Sequence, residues 1–348
     1  MMQWAFAAIL ALSTPAPGVE PPPQEQVMAV PAELRAQLHE RVIAGGGGDR
    51  QRFNRLLDFV FGDDGLALLY DAHSTHTVAG TWRGGKANCL SFSLLFVALA
   101  REAGLRADVQ EIDQVLVWYK EGGIVYNASH VNVGVRIDGR ASTIEISQAP
   151  VIARHAPKII PDQRALAHYY NNRGAELLAA GEIDAAFRHM QASLDLDPDF
   201  ASSWNNLGVL HLRKDNLRAS ENAYVAALDL EPKHGPTLFN IVSLYRRLGD
   251  MEQLDKYQRR LEKARLADPF HQFLLATESE QRGDHPRAVL HYKRAIRLHQ
   301  HEELFHFGLA RVYFAMGETR HGNRALARAQ FLEKKAKRGV DPIVASGR

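Results

Sequence analysis

The sequence predicts a chain in two parts: an α+β unit over residues 31–150, then an all-α solenoid of five repeats over residues 167–336. Three observations carry this reading. Glycines recur at whole multiples of 34 residues through the second half. In the first half, helix-period segments precede short alternating runs, the order that gives helices and an antiparallel sheet. Proline-containing stretches at residues 19–30 and 151–166 separate the parts and read as linkers.

A length of 348 residues suits two domains with sizeable cores. The 42 Lys and Arg against 40 Asp and Glu leave a formal charge of +2, with no long-range bias towards nucleic acid or an anionic membrane. At the N-terminus the apolar run from Trp4 to Leu12 is too short to span a bilayer. It fits the core of a secretory signal over residues 1–18, although no Lys or Arg precedes it. Export, to a periplasm, is the expectation; a cytoplasmic location is the alternative. No other stretch reaches transmembrane length, so no integral membrane segment is expected in the mature chain.

Within 31–150, helical periodicity runs through "PAELRAQLHERVI", "RQRFNRLLDFVF" and "CLSFSLLFVALAREAG". The third segment starts at Cys89, the one cysteine of the chain, which excludes an intramolecular disulfide and a thiolate zinc site. Gly84 and Gly85 break what precedes it, Asn88 is a good N-cap, and Gly104 is placed to end the helix. Phe92, Leu95, Phe96 and Leu99 share one face while Leu94, Val97 and Ala98 make the others apolar, the pattern of a central helix. Cys89 therefore sits where unpaired amides and the helix dipole favour an anion, an environment that lowers a thiol pKa from about 8.5. The same position also suits a small buried hydrophobe.

"ADVQEI", "VLVWY", "GIVY", "HVNVGVRI" and "STIEIS" read as short strands. Asp138-Gly139 is a favoured two-residue hairpin turn, and it fixes the register: Ile137 faces Arg140, Val133 faces Ile144, and Val131 faces Ile146. That makes one apolar face. The other carries His130, Asn132 and Gly134 against Ser147, Glu145 and Thr143, with His130 and Glu145 diagonal neighbours about 7–8 Å apart at the backbone. A carboxylate on one ring nitrogen leaves the other free to take a thiol proton. A solvated hairpin is the alternative.

From residue 167 a repeat register runs through 201, 235, 269 and 303. Its fifteenth position is Gly181, Asp215, Gly249, Gly283 and Gly317, and its sixteenth is Glu182, Asn216, Asp250, Asp284 and Glu318. Glycine there fits a tight helix–helix turn. In "ASSWNNLGVLHLRKDNLRASENAYVAALDLEPKH", the residues Trp204, Leu207, Gly208, Tyr224, Ala227 and Pro232 resemble the tetratricopeptide consensus. That resemblance implies stacked helix pairs with a concave groove for a peptide or protein partner. Trp204 occupies a packing position and is expected in the core. Residues 337–348 read as a basic tail. The cluster Lys334, Lys335, Lys337 and Arg338 reads as a solvated helix end, where cations suit the dipole.

The glycine-rich turn before Cys89, the helix ending "ALAREAGLRA", the strand-borne His130 and an acid 15 residues later resemble the transglutaminase-like domain over roughly residues 55–150. The full layout is similar to bacterial proteins that join this domain to tetratricopeptide repeats. The resemblance implies a papain-like fold in which Cys89 matches the nucleophile, His130 the general base and Glu145 the orienting acid, a position where the family has Asp. For the oxyanion it leaves the amide of Cys89 as one donor, with Trp82 or Asn88 as guesses for a second. It implies acyl transfer or hydrolysis on a protein or peptide, with no cofactor and no metal. The other reading is an interaction scaffold with a degenerate domain of this type. His73 and His76 lack further ligands and read as a surface loop; His299, His301 and His306 read as groove or surface residues.

Overall fold

The computed structural model describes residues 20–72, 74–112, 120–121, 124–125, 130–146, 157–339 and 343–344. The expected signal over 1–18, the run 115–119, residues 151–156 of the expected connector, and His73 lie outside the described residues.

The chain opens with α1 (Gln24–Val27), α2 (Ala32–Leu38) running into one π turn over His39–Ile43, and α3 (Asp49–Phe61). The expected linker is docked rather than free. Pro23 flanks α1, where its missing N–H costs nothing, Val27 is fully buried, and the Tyr170 hydroxyl donates to the Pro22 carbonyl. Next come β1 (Leu69–Tyr70), α4 (Val78–Gly84) and β2 (Lys86–Ala87), with β1 parallel to β2, and then α5 (Cys89–Glu102).

The apolar run of α5 is buried from Leu90 to Ala100, so it is central as its composition predicts. Fully burying each of its large side chains, such as Leu95, Phe96 and Leu99, contributes about 1.5–3 kcal/mol. It packs on β3 (Arg106–Ile112) and β6 (His130–Ile137). A small ribbon pairs β4 (Lys120–Glu121) with β5 (Ile124–Val125). With β7 (Arg140–Glu145), β8 (Lys158–Ile159) and β9 (Ile343–Val344), the main sheet has the order β8-β3-β6-β7-β9. Neighbours are antiparallel except β9, which runs parallel to β7. Residues 343–344 of the expected basic tail thus pair with β7. The β6–β7 register is the expected one, Val133 to Ile144 and Ile137 to Arg140, and both turn residues adopt positive φ, Asp138 at 51° and Gly139 at 78°.

Ten helices follow in five pairs. They are α6 (Asp162–Ala179) with α7 (Ile183–Leu196), α8 (Ala201–Arg213) with α9 (Leu217–Leu230), and α10 (Gly235–Leu248) with α11 (Met251–Leu266). The last are α12 (Pro269–Gln281) with α13 (His285–Leu298) and α14 (Glu303–Ala315) with α15 (Thr319–Gly339). Each pair stacks on the next, α7 on α8 through α13 on α14. The glycine column has a backbone cause. All five fifteenth positions are left-handed: Gly181 at φ 86°, Asp215 at 58°, Gly249 at 71°, Gly283 at 76° and Gly317 at 75°. The next column starts the second helix, and Asn216, Asp250 and Asp284 cap it by accepting from Ala219, Gln253 and Arg287 amides. Trp204 is a packing residue as expected, lying against the core of the first two pairs with its indole N–H on the Pro198 carbonyl at 2.8 Å.

The connector is shorter than the sequence suggested. α6 begins at Asp162, β8 joins the sheet, and Ala165, Leu166, Tyr169 and Tyr170 belong to the same continuous core as α5 and the sheet. The repeat array and the α+β unit are welded, not strung together. Glu111 of β3 marks the seam. It meets the His168 ring at 3.1 Å and the Arg164 guanidinium at 3.7 Å. Burial alone raises the Glu111 carboxyl, but the His168 hydrogen bond and the charges of His168, Arg164 and Lys158 outweigh it and hold the group below the usual carboxylate range.

Candidate active site

Three side chains converge at the tip of α5. The Cys89 sulfur, a ring nitrogen of His130 and a Glu145 oxygen all lie within 4.8 Å of one another. Each arrives by a local rule. Asn88 caps α5, its Oδ1 accepting from the Ser91 amide at 2.8 Å, which leaves Cys89 as the first helical residue. His130 opens β6 and pairs with Ile112 of β3. Glu145 ends β7, diagonal to His130 across the hairpin register.

The extra methylene of Glu145 does not prevent contact: its Oε2 is 2.6 Å from His130 Nε2. Its Oε1 accepts from the Ile146 amide at 3.1 Å, so the carboxylate is held at both oxygens. Nε2 being taken, Nδ1 is the ring nitrogen left for the sulfur. The His130 side chain is 5% exposed and that of Glu145 12%, which corrects the alternative of a solvated hairpin; Asn132 on the same face is buried too. Burial disfavours the charged ring. Hydrogen bonds to Cys89 and Glu145, with the charges of both, outweigh that penalty and push His130 up to about 10.

Thiol, imidazole and carboxylate also have the composition of a metal site. The spacing argues otherwise. Two ligands about 2.0–2.1 Å from one tetrahedral ion stand roughly 3.3 Å apart. His130 Nε2 and Glu145 Oε2 are closer than that, and they hydrogen-bond to each other.

Of the two residues named for a second oxyanion donor, one already makes a hydrogen bond and the other packs on the core. Asn88 spends its Nδ2 on Thr75 Oγ1 at 2.8 Å, and Trp82 is partly buried against the main core. The amides of Cys89 and Leu90 remain the first-turn donors without a carbonyl one turn earlier in the helix. The sequence reading missed Tyr70, whose hydroxyl lies 3.7 Å from the Cys89 sulfur and which is 41% exposed. It reaches the site because β1 pairs with the strand just before Asn88. A two-residue strand leaves no periodic signal. His76 lies beside the same helix, its amide donating to Ser91 Oγ at 2.8 Å. In the array, His299 is half-buried and His301 exposed, but His306 is buried, which corrects its reading as a groove or surface residue.

The comparisons with known proteins bear on the helical half. Residues 201–234, which hold α8 and α9, match the tetratricopeptide repeat family. A repeat of this type points to a protein–protein interaction role. Among solved structures, MamA from Desulfovibrio magneticus RS-1 is similar at 14% identity over 49% of this chain and 96% of that one, with a TM-score of 0.27. YrrB, described as a TPR protein with an unusual peptide-binding site, is similar at 17% identity over 49% and 92%, also at 0.27. No curated protein matches the chain. The description as stacked helix pairs rests on α6–α15 themselves and on the family match. Among the described residues, no helix is long and apolar enough to cross a membrane.

Proposed function

We propose that the α+β unit is a transglutaminase-like, cysteine-dependent acyl-transfer centre acting on a protein or peptide that the repeat array recruits. The observation that carries this is the gathering of Cys89, His130 and Glu145 within 4.8 Å, with His130 pushed up to about 10. An imidazolium beside a sulfur favours the pair in which the proton rests on the ring.

In the first step the Cys89 thiolate attacks a carboxamide or peptide carbonyl, forming a C–S bond while the carbonyl oxygen takes up the charge. First-turn amides of α5 face that charge. His130 gives its proton to the departing nitrogen as the C–N bond breaks, leaving a thioester and an amine. Water or a second amine then attacks. Its proton returns to His130, the C–S bond breaks, and the thiolate–imidazolium pair is restored. Water gives hydrolysis and an amine gives cross-linking. Glu145 holds the ring orientation and stabilises its charge throughout.

The tetratricopeptide match favours a second reading, in which the chain is a non-catalytic interaction scaffold and the Cys-His-Glu group is a remnant. Iodoacetamide labelling of Cys89 against pH separates the two. A midpoint near or below 7 that is lost in His130→Ala supports the enzyme. Labelling only above about 8.5, unchanged by that substitution, leaves the scaffold.

A further inference from the structure

The tip of α5 is tied to the repeat array by a short chain of hydrogen bonds. Glu176, on α6, accepts the Thr75 amide at 2.8 Å, a contact between residues 101 apart in sequence. Thr75 Oγ1, in a side chain only 2% exposed, accepts from Asn88 Nδ2 at 2.8 Å. Asn88 Oδ1 accepts from the Ser91 amide, and Cys89 follows Asn88 directly. A second strut runs from the same loop, since the His76 amide donates to Ser91 Oγ.

The direction of each bond matters. An amide side chain offers an acceptor and a donor that exchange places when it flips. Thr75 takes the donor end of Asn88 and so holds the acceptor end on the helix. Were Asn88 to flip, its NH₂ would face the Ser91 amide, two donors together, and the cap would be lost. The first turn of α5 sets both the aim of the Cys89 sulfur and the amides beside it. Its geometry therefore depends on Thr75, and Thr75 is fixed in turn by a carboxylate of the array. On the other side of the site, His168 of the same α6 grips Glu111, next to Ile112, the strand partner of His130.

We propose that Thr75 and Glu176 are positioning residues for Cys89, and that α6 is thereby a structural part of the reactive site as well as the start of the partner-binding array. For its consequence on chemistry this rests on the acyl-transfer reading; the positioning itself does not.

The test uses the full chain and two readouts. Thr75→Val removes the hydroxyl at nearly constant volume and Glu176→Ala removes the acceptor; Thr75→Ser and Glu176→Gln keep an oxygen in place. Hydrogen exchange at the Ser91 amide reports the cap whether or not the thiol is reactive. Iodoacetamide labelling of Cys89 against pH reports the consequence. Loss of one hydrogen bond of this kind is expected to speed Ser91 exchange about five-fold or more in Thr75→Val and Glu176→Ala. Labelling near neutral pH is expected to slow by a similar factor, and Thr75→Ser and Glu176→Gln to restore both. Exchange and labelling within two-fold of the parent in Thr75→Val and Glu176→Ala overturn the proposal. So does a Thr75→Ser variant as impaired as Thr75→Val. If Glu176→Ala does not fold, the comparison of Glu176→Gln with Thr75→Val decides alone. A parent thiol that labels only above about 8.5 ends the acyl-transfer reading, while the Ser91 exchange still decides the positioning.

Discussion

His130 Nε2 and Glu145 Oε2 stand 2.6 Å apart, joined across two strands whose register is fixed by the Asp138-Gly139 turn. Glu145 contributes both a hydrogen bond and a charge to the raised His130. Glu145→Gln removes the charge and weakens the bond, so the imidazolium is expected to titrate below about 10 rather than near it. The sign follows from the cause: less stabilisation of the cation means that the proton leaves at lower pH. NMR of the His130 ring protons measures this, and a parent ring titrating near 6.5 contradicts it. Any acyl-transfer rate is expected to drop by roughly 10²–10⁴ in Glu145→Gln, with its alkaline limb moved to lower pH.

Asp215 occupies, at φ 58°, a turn position that four other pairs fill with glycine. Left-handed backbone costs a non-glycine residue about 1 kcal/mol. Asp215→Gly is therefore expected to raise the thermal midpoint by a few degrees. The loss of its ion pair with Arg247 offsets this little, since both side chains are more than half exposed. Gly249→Ala, at φ 71° with open space around it, is expected to lower the midpoint by a similar amount. Calorimetry of both variants against the parent checks the pair, and equal midpoints in all three refute the assignment of strain.

His234, the residue before α10, is drawn down to about 4 by burial, with Nδ1 2.6 Å from Thr237 Oγ1. Its folded value lies below its unfolded value near 6.5, so the native state favours the neutral ring. The associated stability is present above pH 6.5 and is lost as pH falls from there through 4. A loss on the order of 2–3 kcal/mol is expected by pH 4. Urea titrations at pH 7.5 and 4.5 measure it. His234→Gln, which cannot take up a proton, is expected to flatten this part of the pH dependence; an unchanged slope tells against it.

What the sequence reveals about this chain divides along one physical line. Features with a local cause were legible: the hairpin register, because Asp-Gly with period-2 alternation leaves one solution; the helix pairs, because a left-handed turn every 34 residues selects glycine. The place of Cys89 after the Asn88 cap and the diagonal pair His130–Glu145 have local causes too, whereas the meeting of the sulfur with the ring is a distant contact. Features made by distant contacts were not. Nothing near Tyr70 marks its approach to Cys89, and nothing near Thr75 points to Glu176. The cap at Asn88 has a local cause, but its second bond, to Thr75, depends on a loop folded back from residue 75. The seam shows only in the structure, where seven consecutive residues, Ala165 to Asn171, are buried, which no helix with a solvent face allows.

That buried run yields the last prediction. Ala165, Leu166, Tyr169 and Tyr170 close the core that α5 and the sheet begin, so a boundary drawn between the two parts cuts through it. Exposing these side chains and the surface they cover forfeits on the order of 5 kcal/mol or more, comparable to the whole net stability of an ordinary domain. A chain ending at residue 160 is therefore expected to be insoluble, or to bind a hydrophobic dye without a cooperative melt. A chain ending at residue 200 retains α6 and α7 and is expected to melt cooperatively, because α7 covers the outer side of α6. Limited proteolysis of the full protein gives an independent check, since cleavage between β8 and α6 is expected to be slow in the native state. If residues 20–160 melt at the same temperature as residues 20–200, the shared core contributes nothing, and the α+β unit is an autonomous domain after all.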